Sequence, residues 1–226
     1  MRALGIEGAW THEPRTFGDA RGTFLEWFRP DELGTATGRS MPVAQANQSV
    51  SRRGVVRGVH YSAVPPGQAK YVSCVRGSVL DVIVDLRTGS PTFGRWEAVP
   101  LDDRGHRAVF LTEGLGHGFA ALSEEATVVY LCSTRYDPER EHGIDPFDTE
   151  LGIEWPAFAE TVLSDRDRRA PSLAEARSRG LLPRYGPPPA PQPPPAPPRT
   201  PAPATLLAPV SQSLSRPPSP ARESTS

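Results

Sequence analysis

From Val79 to Leu86 the chain alternates with a period of two: Val79, Asp81, Ile83 and Asp85 fall on one face of an extended segment, and Leu80, Val82, Val84 and Leu86 on the other. That pattern demands a strand. The run Lys70 to Arg76 leads into it through Gly77-Ser78 and reads as the first arm of a hairpin. Further short runs at Gly94 to Leu101, Ala108 to Thr112 and Thr127 to Ser133 are separated by Gly, Pro and Asp clusters. Short strands at close spacing predict an all-β sandwich or barrel. Helical signal is sparse and late: Ser172 with Glu175 three residues on makes a capping box, and Gly180 stands where a helix would close.

The pattern ends near Tyr185. From Pro187 to Ser226, 15 of 40 residues are Pro, and the only charges are Arg199, Arg216, Arg222 and Glu223. Such a segment buries too little apolar surface to offset its ordering entropy, so residues 187–226 are expected to form a Pro-rich, polyproline-like disordered tail. Its Pro-x-x-Pro spacings suit an aromatic groove, and a solvated extension is the simpler reading. Residues 1–186 then make the working domain, a size that supports one core.

Composition removes several function classes. Apolar runs such as Val82 to Val84 are cut by Asp81 and Asp85, far short of the roughly 20 residues a spanning helix needs, so no membrane role is expected. No apolar stretch follows Met1 and Arg2 that could serve as a secretory signal, and a cytoplasmic location is expected. Cys74 and Cys132 make neither a disulfide framework nor a zinc site. A net charge of -1 argues against nucleic acid as a partner.

Among 25 basic residues, 24 are Arg and one is Lys, at Lys70. A coding bias with one survivor explains this as well as a task that only an ammonium performs. Lys70, His60 and Tyr130 also fall where strand interiors favour apolar side chains. Val128, Tyr130 and Cys132 share a strand face, and a core-filling tyrosine with a bonded hydroxyl is the plain account of that position. A lone histidine is likewise more often structural than catalytic.

Eight stretches set these residues in a larger pattern. They are Asp19 to Glu26, Gln45 to Ser49, Gly54 to Tyr61, Gln68-Ala69-Lys70, Ser90 to Gly94, Gly116 to Phe119, Tyr130 with Tyr136-Asp137-Pro138, and Leu163 to Asp167. In this order they closely resemble the dTDP-4-dehydrorhamnose 3,5-epimerase family, over about residues 1 to 185. The resemblance implies a cupin-type double-stranded β-helix jelly roll with a few short helices. It also implies a homodimeric isomerase without metal or redox cofactor, acting on a dTDP-4-keto-6-deoxyhexose.

The ketone of such a sugar acidifies the neighbouring C3 and C5 hydrogens, so epimerisation needs a base on one face, a cation at the enolate oxygen and an acid on the other face. His60 matches the family's base, Asp167 the carboxylate that orients it, Lys70 the enolate-stabilising lysine and Tyr130 the acid. Arg21 and Arg57 match arginines that contact the substrate, and a guanidinium fork suits a pyrophosphate. Tyr136 matches the aromatic that stacks on thymine, while Glu26, Gln45, Asn47, His117 and Glu141 match polar substrate contacts. Arg166 stands where many relatives have Lys, and Ala46 replaces a more polar residue of some relatives.

Metal-binding cupins offer a competing reading. They pair two histidines one residue apart, whereas Ser62 stands two after His60, and His12, His106 and His142 read as solvated loop residues. No metal is expected. Two further alternatives are a mono-epimerase acting at C3 or C5 alone and a non-catalytic sugar-nucleotide binding protein. Leu131-Cys132-Ser133 with Arg140 to Ile144 resembles the branch in deoxysugar pathways of secondary metabolism, which favours antibiotic sugars over cell-surface rhamnose.

Overall fold

The computed structural model describes residues 1–186; the tail expected at 187–226 lies outside the described residues. In chain order the elements are β1 (Arg2–Ala3), β2 (Ala9–His12), β3 (Thr16–Asp19), β4 (Gly22–Leu25), α1 (Pro30–Thr37), β5 (Gln45–Arg52), β6 (Val56–Ser62), β7 (Lys70–Arg76) and β8 (Ser78–Asp85). They continue with β9 (Trp96–Asp102), β10 (Ala108–Leu111), β11 (Leu115–Ala121), β12 (Glu125–Cys132), β13 (Glu141–Gly143), α2 (Asp165–Arg168) and α3 (Leu173–Ser178).

Two antiparallel sheets face each other. One runs β1-β2-β10-β7-β12-β5 and the other β13-β6-β11-β8-β9, while β3 and β4 form a separate hairpin. The faces that meet are read from one core cluster: Val72, Cys74, Val109, Leu111 and Val128 come from the first sheet, and Val79, Ile83, Val99, Leu101 and Phe119 from the second. Packed sheets of this kind stand about 10 Å apart.

The opposite faces are covered too. Val59, Tyr61, Val82, Val84 and Leu86 pack under Ile144, Leu151, Ile153 and the α3 residues Leu173 and Ala176. On the other side Tyr71, Ala108, Phe110 and Leu131 pack under Leu33 of α1, Met41, Trp10, Trp27 and Phe28. The alternation at Val79 to Leu86 therefore separates two apolar environments, the sandwich interior and the layer beneath α3.

Two carboxyl groups, Asp81 and Asp85, interrupt the inner face of β8, and Asp85 is fully buried. Its carboxylate takes two hydrogen bonds at 2.8 Å from Arg87, one from Ser90 at 2.5 Å and one from Thr92 at 2.6 Å. Burial alone would raise its pKa, and the bonds from Arg87, Ser90 and Thr92 outweigh it and hold the group below the ordinary value.

Three expectations change. Lys70–Arg76 and the following strand do not pair: β7 bonds to β10 and β12, and β8 to β11 and β9, so Gly77 is a corner between sheets, not a hairpin turn. A Cβ at Gly77 would lie 2.2 Å from the Glu125 carbonyl oxygen, and its φ of 73° is left-handed. Helical structure also begins early, at α1. That helix opens on Pro30 with no side-chain cap and closes at Gly38 in the left-handed conformation. Only Leu33 is buried along it, too weak an apolar period to read from sequence.

Finally, His12 and His142 are strand residues and not loop residues. His12 Nδ1 lies 2.6 Å from the Tyr71 hydroxyl, and the His142 ring packs on Tyr61 at 5.5 Å. His106 does lie in a turn, between β9 and β10. At the late helix, both halves of the Ser172–Glu175 capping box are formed.

Candidate active site

Cross-strand register fixes which side chains share the sandwich interior. In the six-stranded sheet Gln45 lies opposite Cys132, and Cys132 opposite Lys70; one step along, Asn47 lies opposite Tyr130 and Tyr130 opposite Val72. Directly opposed residues point the same way with Cβ atoms about 4.5–5.5 Å apart. Val72 and Tyr130 belong to the inner core, so Gln45, Asn47, Lys70, Tyr130 and Cys132 all face inward.

The other sheet needs a device to do the same. Phe119 lies opposite Arg57 and His117 opposite His60, so three steps on β6 match two on β11. This bulge turns Arg57 and His60, which an even strand would place on opposite faces, onto the same inner face. It depends on close backbone approach: a Cβ on Gly58 would stand 2.6 Å from Gly118 Cα, and Gly58 has a φ of 116°. The alternation of β11 then puts His117 inside beside His60.

Asp167 arrives from outside the sheet. The segment before α2 is pinned to β6, with Val56 N–H donating to the Val162 carbonyl at 3.0 Å and Val162 N–H to the Gly54 carbonyl at 3.0 Å. Ser164 then caps α2, accepting from Asp167 N–H at 3.0 Å. That leaves Asp167 Oδ1 2.6 Å from His60 Nε2, with Asp167 only 4% exposed. Burial would raise the carboxyl pKa, but the hydrogen bond and charge of His60 hold it below the ordinary value. An ionised carboxylate only accepts, so Nε2 carries the proton and Nδ1 of a neutral ring is bare.

Burial raises the Tyr130 pKa, so the phenol is protonated at neutral pH. Lys70 is 7% exposed, and its side chain makes no hydrogen bond or ion pair among the described residues. His117 Nε2 lies 2.7 Å from Asp81 Oδ2, and Asp81 is fully buried with Oδ1 unpartnered.

The rim joins the remaining side chains. Arg57 donates to Ser51 Oγ at 3.0 Å and to the Val50 carbonyl at 3.3 Å, bridging from β6 to β5 across the seam between the sheets. Glu141 accepts from Ser62, its cross-strand neighbour. Arg166 donates to the Glu141 carbonyl at 2.9 Å and to the Tyr136 hydroxyl at 3.3 Å, and Tyr136 N–H donates to Gln45 Oε1 at 2.8 Å.

Two expected residues stand apart. Arg21 lies on the turn of the β3–β4 hairpin, exposed and paired with Asp19 at 2.5 Å; Glu26 lies just beyond, 3.6 Å from Arg29. Neither contacts the interior cluster within this chain. Asp81, Ser62 and Cys132 were not singled out as site residues from sequence. Asp81 had a legible signal, a carboxylate on the core face of an apolar strand. Ser62 and Cys132 gave none beyond their strand phase.

His60 and His117 thus point inward from one sheet, and Tyr130 and Lys70 from the other. The family model for dTDP-4-dehydrorhamnose 3,5-epimerase matches residues 3–175. The chain belongs to the dTDP-4-dehydrorhamnose 3,5-epimerase family.

Its similarity to individual epimerases is close. NovW, a 4-keto-6-deoxy sugar epimerase from the novobiocin biosynthetic gene cluster of Streptomyces spheroides, is 59% identical with a TM-score of 0.79, over 81% of this chain and 92% of NovW. ChmJ, a 3'-monoepimerase from Streptomyces bikiniensis solved with dTDP-quinovose, is 56% identical with a TM-score of 0.79, over 82% of this chain and 93% of ChmJ. A dTDP-4-dehydrorhamnose 3,5-epimerase of Mycolicibacterium smegmatis is 55% identical, over 81% of this chain and 90% of its own length. The two facing sheets are the cupin jelly roll of the dTDP-4-dehydrorhamnose 3,5-epimerase family. Among the described residues no three His, Cys, Asp or Glu side chains converge as a metal set, and no helix is long and apolar enough to cross a membrane.

Proposed function

We propose that this protein epimerises a dTDP-4-keto-6-deoxyhexose beside its C4 ketone. The observation that carries the reading is the opposition of His60 Nδ1, left bare by the Asp167 hydrogen bond, to protonated Tyr130 across the sandwich. His60 takes the proton from the carbon next to the ketone, and the bonding pair moves into the C–C bond and onto O4 as an enolate. The Lys70 ammonium holds that oxygen, a role for a compact charge with rotatable donors. Tyr130 returns a proton to the other face of the carbon, which inverts it, and exchange with solvent restores both groups. Arg57 and Tyr136 hold the nucleotide end, with Gln45, Asn47, His117, Glu141 and Arg166 as polar contacts.

Regiochemistry has two readings. Inversion at both C3 and C5 follows the family description, and inversion at C3 alone is favoured by the likeness to ChmJ. Incubation with the 4-keto substrate in deuterated water, read by NMR, separates them: label at two inverted centres supports the first and at one the second. A protein that gives neither label nor product is a binding protein, and the enzyme reading falls.

The likeness to NovW favours an antibiotic deoxysugar as the end product. A homodimer accompanies this reading. Arg21, with Phe17 and Phe24 exposed beside it on a hairpin that reaches no interior residue of its own chain, would complete a second copy's site. Sedimentation at micromolar concentration tests this, and a monomer refutes it. Residues 1–186 carry the activity and a cytoplasmic location suits it; a chain truncated after Gly186 should turn over like the full protein.

A further inference from the structure

Gln45 and Asn47 sit two residues apart on β5, both half-buried on its inward face. Their hydrogen bonds run in one direction. Tyr136 N–H donates to Gln45 Oε1 at 2.8 Å, and Gln45 Nε2 donates to Asn47 Oδ1 at 2.7 Å. With its oxygen occupied, Asn47 presents only the two hydrogens of Nδ2 to the interior. One points to Cys132 Sγ at 3.7 Å. Tyr130 stands directly across the strand pair from Asn47, and the amide acts against burial to lower the phenol's pKa.

We infer that Gln45 and Asn47 are positioning residues for Tyr130, relaying an orientation from the Tyr136 main chain to an amide N–H aimed at the phenol oxygen. The inference rests on the epimerase reading and adds a role to residues otherwise taken as substrate contacts. An Nδ2 group cannot accept a hydrogen bond, so a phenol beside it turns its own O–H away, toward the pocket. The donor contributes little while the phenol is neutral. Once the proton has left, it faces a phenolate, and a charge-assisted bond is about twice as strong as a neutral one. The stabilisation therefore grows as the proton transfers, the requirement for raising kcat. Because the relay starts at Tyr136, an aromatic on the pocket rim, settling of that rim against a bound nucleotide also settles the acid.

Two variants cut the relay at different links. Asn47→Leu removes the donor at similar volume. Gln45→Glu keeps the acceptor for Tyr136 N–H but offers no hydrogen to Asn47, whose amide is then free to turn. Both are compared with wild type in deuterated water, scoring label wash-in, formation of inverted product, KM and the pH profile, with thermal unfolding as a check on folding. The expected result at saturating substrate is an inversion kcat lowered about tenfold or more relative to wash-in, and an alkaline limb moved to higher pH, with any change in KM reporting the substrate contacts separately.

A raised KM with unchanged kcat makes the pair substrate contacts only and overturns the inference. A parallel fall of wash-in and inversion with an unmoved alkaline limb also overturns it. Should Asn47→Leu fail to fold, the Gln45→Glu result alone decides. Wild-type protein without wash-in refutes the epimerase reading itself, an outcome distinct from either variant result.

Discussion

Replacing Asp167 by Asn isolates what the carboxylate contributes to His60, because size and shape are kept while charge is removed. The bond lost is short, 2.6 Å between Asp167 Oδ1 and His60 Nε2, and the carboxylate is 4% exposed, so solvent cannot substitute for it. A hydrogen bond to a charged partner is worth about 1.5–3 kcal/mol. At about 1.4 kcal/mol per decade, that is roughly a 10- to 150-fold loss in the rate of proton abstraction. An Asn that turned its Nδ2 toward the ring would also place the imidazole proton on Nδ1, taking the base away and moving the loss to the upper end.

The assay is deuterium wash-in at saturating substrate, with the ratio of inverted product to exchanged substrate measured alongside. That ratio should hold, since Asp167 acts before the enolate partitions. The Ser164 cap on the Asp167 backbone remains, so α2 should still form. Wash-in within about twofold of wild type would refute the dyad argument. Stability has a defined sign: the folded Asp167 carboxyl titrates below its ordinary value. Its contribution is full above the unfolded pKa of about 3.9 and is lost as pH falls through the folded value. The stability gap between wild type and Asp167→Asn should close in acid, as pH falls below the unfolded carboxyl value and through the folded one.

Tyr130→Phe should keep wash-in while lowering inverted product about 10²- to 10⁴-fold, and unaltered product yield would remove the phenol from the mechanism. Lys70→Arg keeps the charge but not its compact form, and kcat should fall about 10²- to 10³-fold; near-normal turnover would return the lone lysine to coincidence. Asp85→Asn strands Arg87 as an uncompensated buried charge and should cost about 3–5 kcal/mol in urea unfolding at pH 7. That cost should shrink in acid, because the Asp85 pKa is depressed and its stabilisation is present only above the unfolded carboxylate range. Gly58→Ala meets Gly118 Cα at 2.6 Å with a φ of 116°, so the bulge must shift; about 1–3 kcal/mol of stability and most of the activity should go, and full activity would deny the bulge its role.

The strand phase at Val79 to Leu86 was legible because period-two alternation survives whatever the strand pairs with. Its partner was not: the chain crosses from one sheet to the other at Gly77, and a Gly-Ser step is compatible with a tight turn and with such a corner. The helix at Pro30–Thr37 escaped notice because it buries one leucine and lacks a capping side chain, leaving Pro30 and Gly38 as its only marks. At the site, family-like stretches marked His60, Lys70, Tyr130 and Asp167, but strand phase alone would have sent Arg57 and His60 to opposite faces. Their common direction comes from the bulge at Gly58, and only register reveals it. Asp81 was visible as a charge on a core face, yet its partner was not, because His117 lies 36 positions away.

In the proposed mechanism the proton acceptor and the proton donor ride on different sheets, so the gap that a sugar ring would bridge is set by side chains that never meet it. Val72, Val109 and Val128 on one side and Ile83 and Phe119 on the other act as the spacer of a caliper. Trimming or enlarging any of them changes the span from His60 to Tyr130 before it unfolds anything. Under that proposal a silent-looking core substitution is an active-site substitution at a distance, and the thickness of the interior matters to turnover alongside the groups that carry the proton.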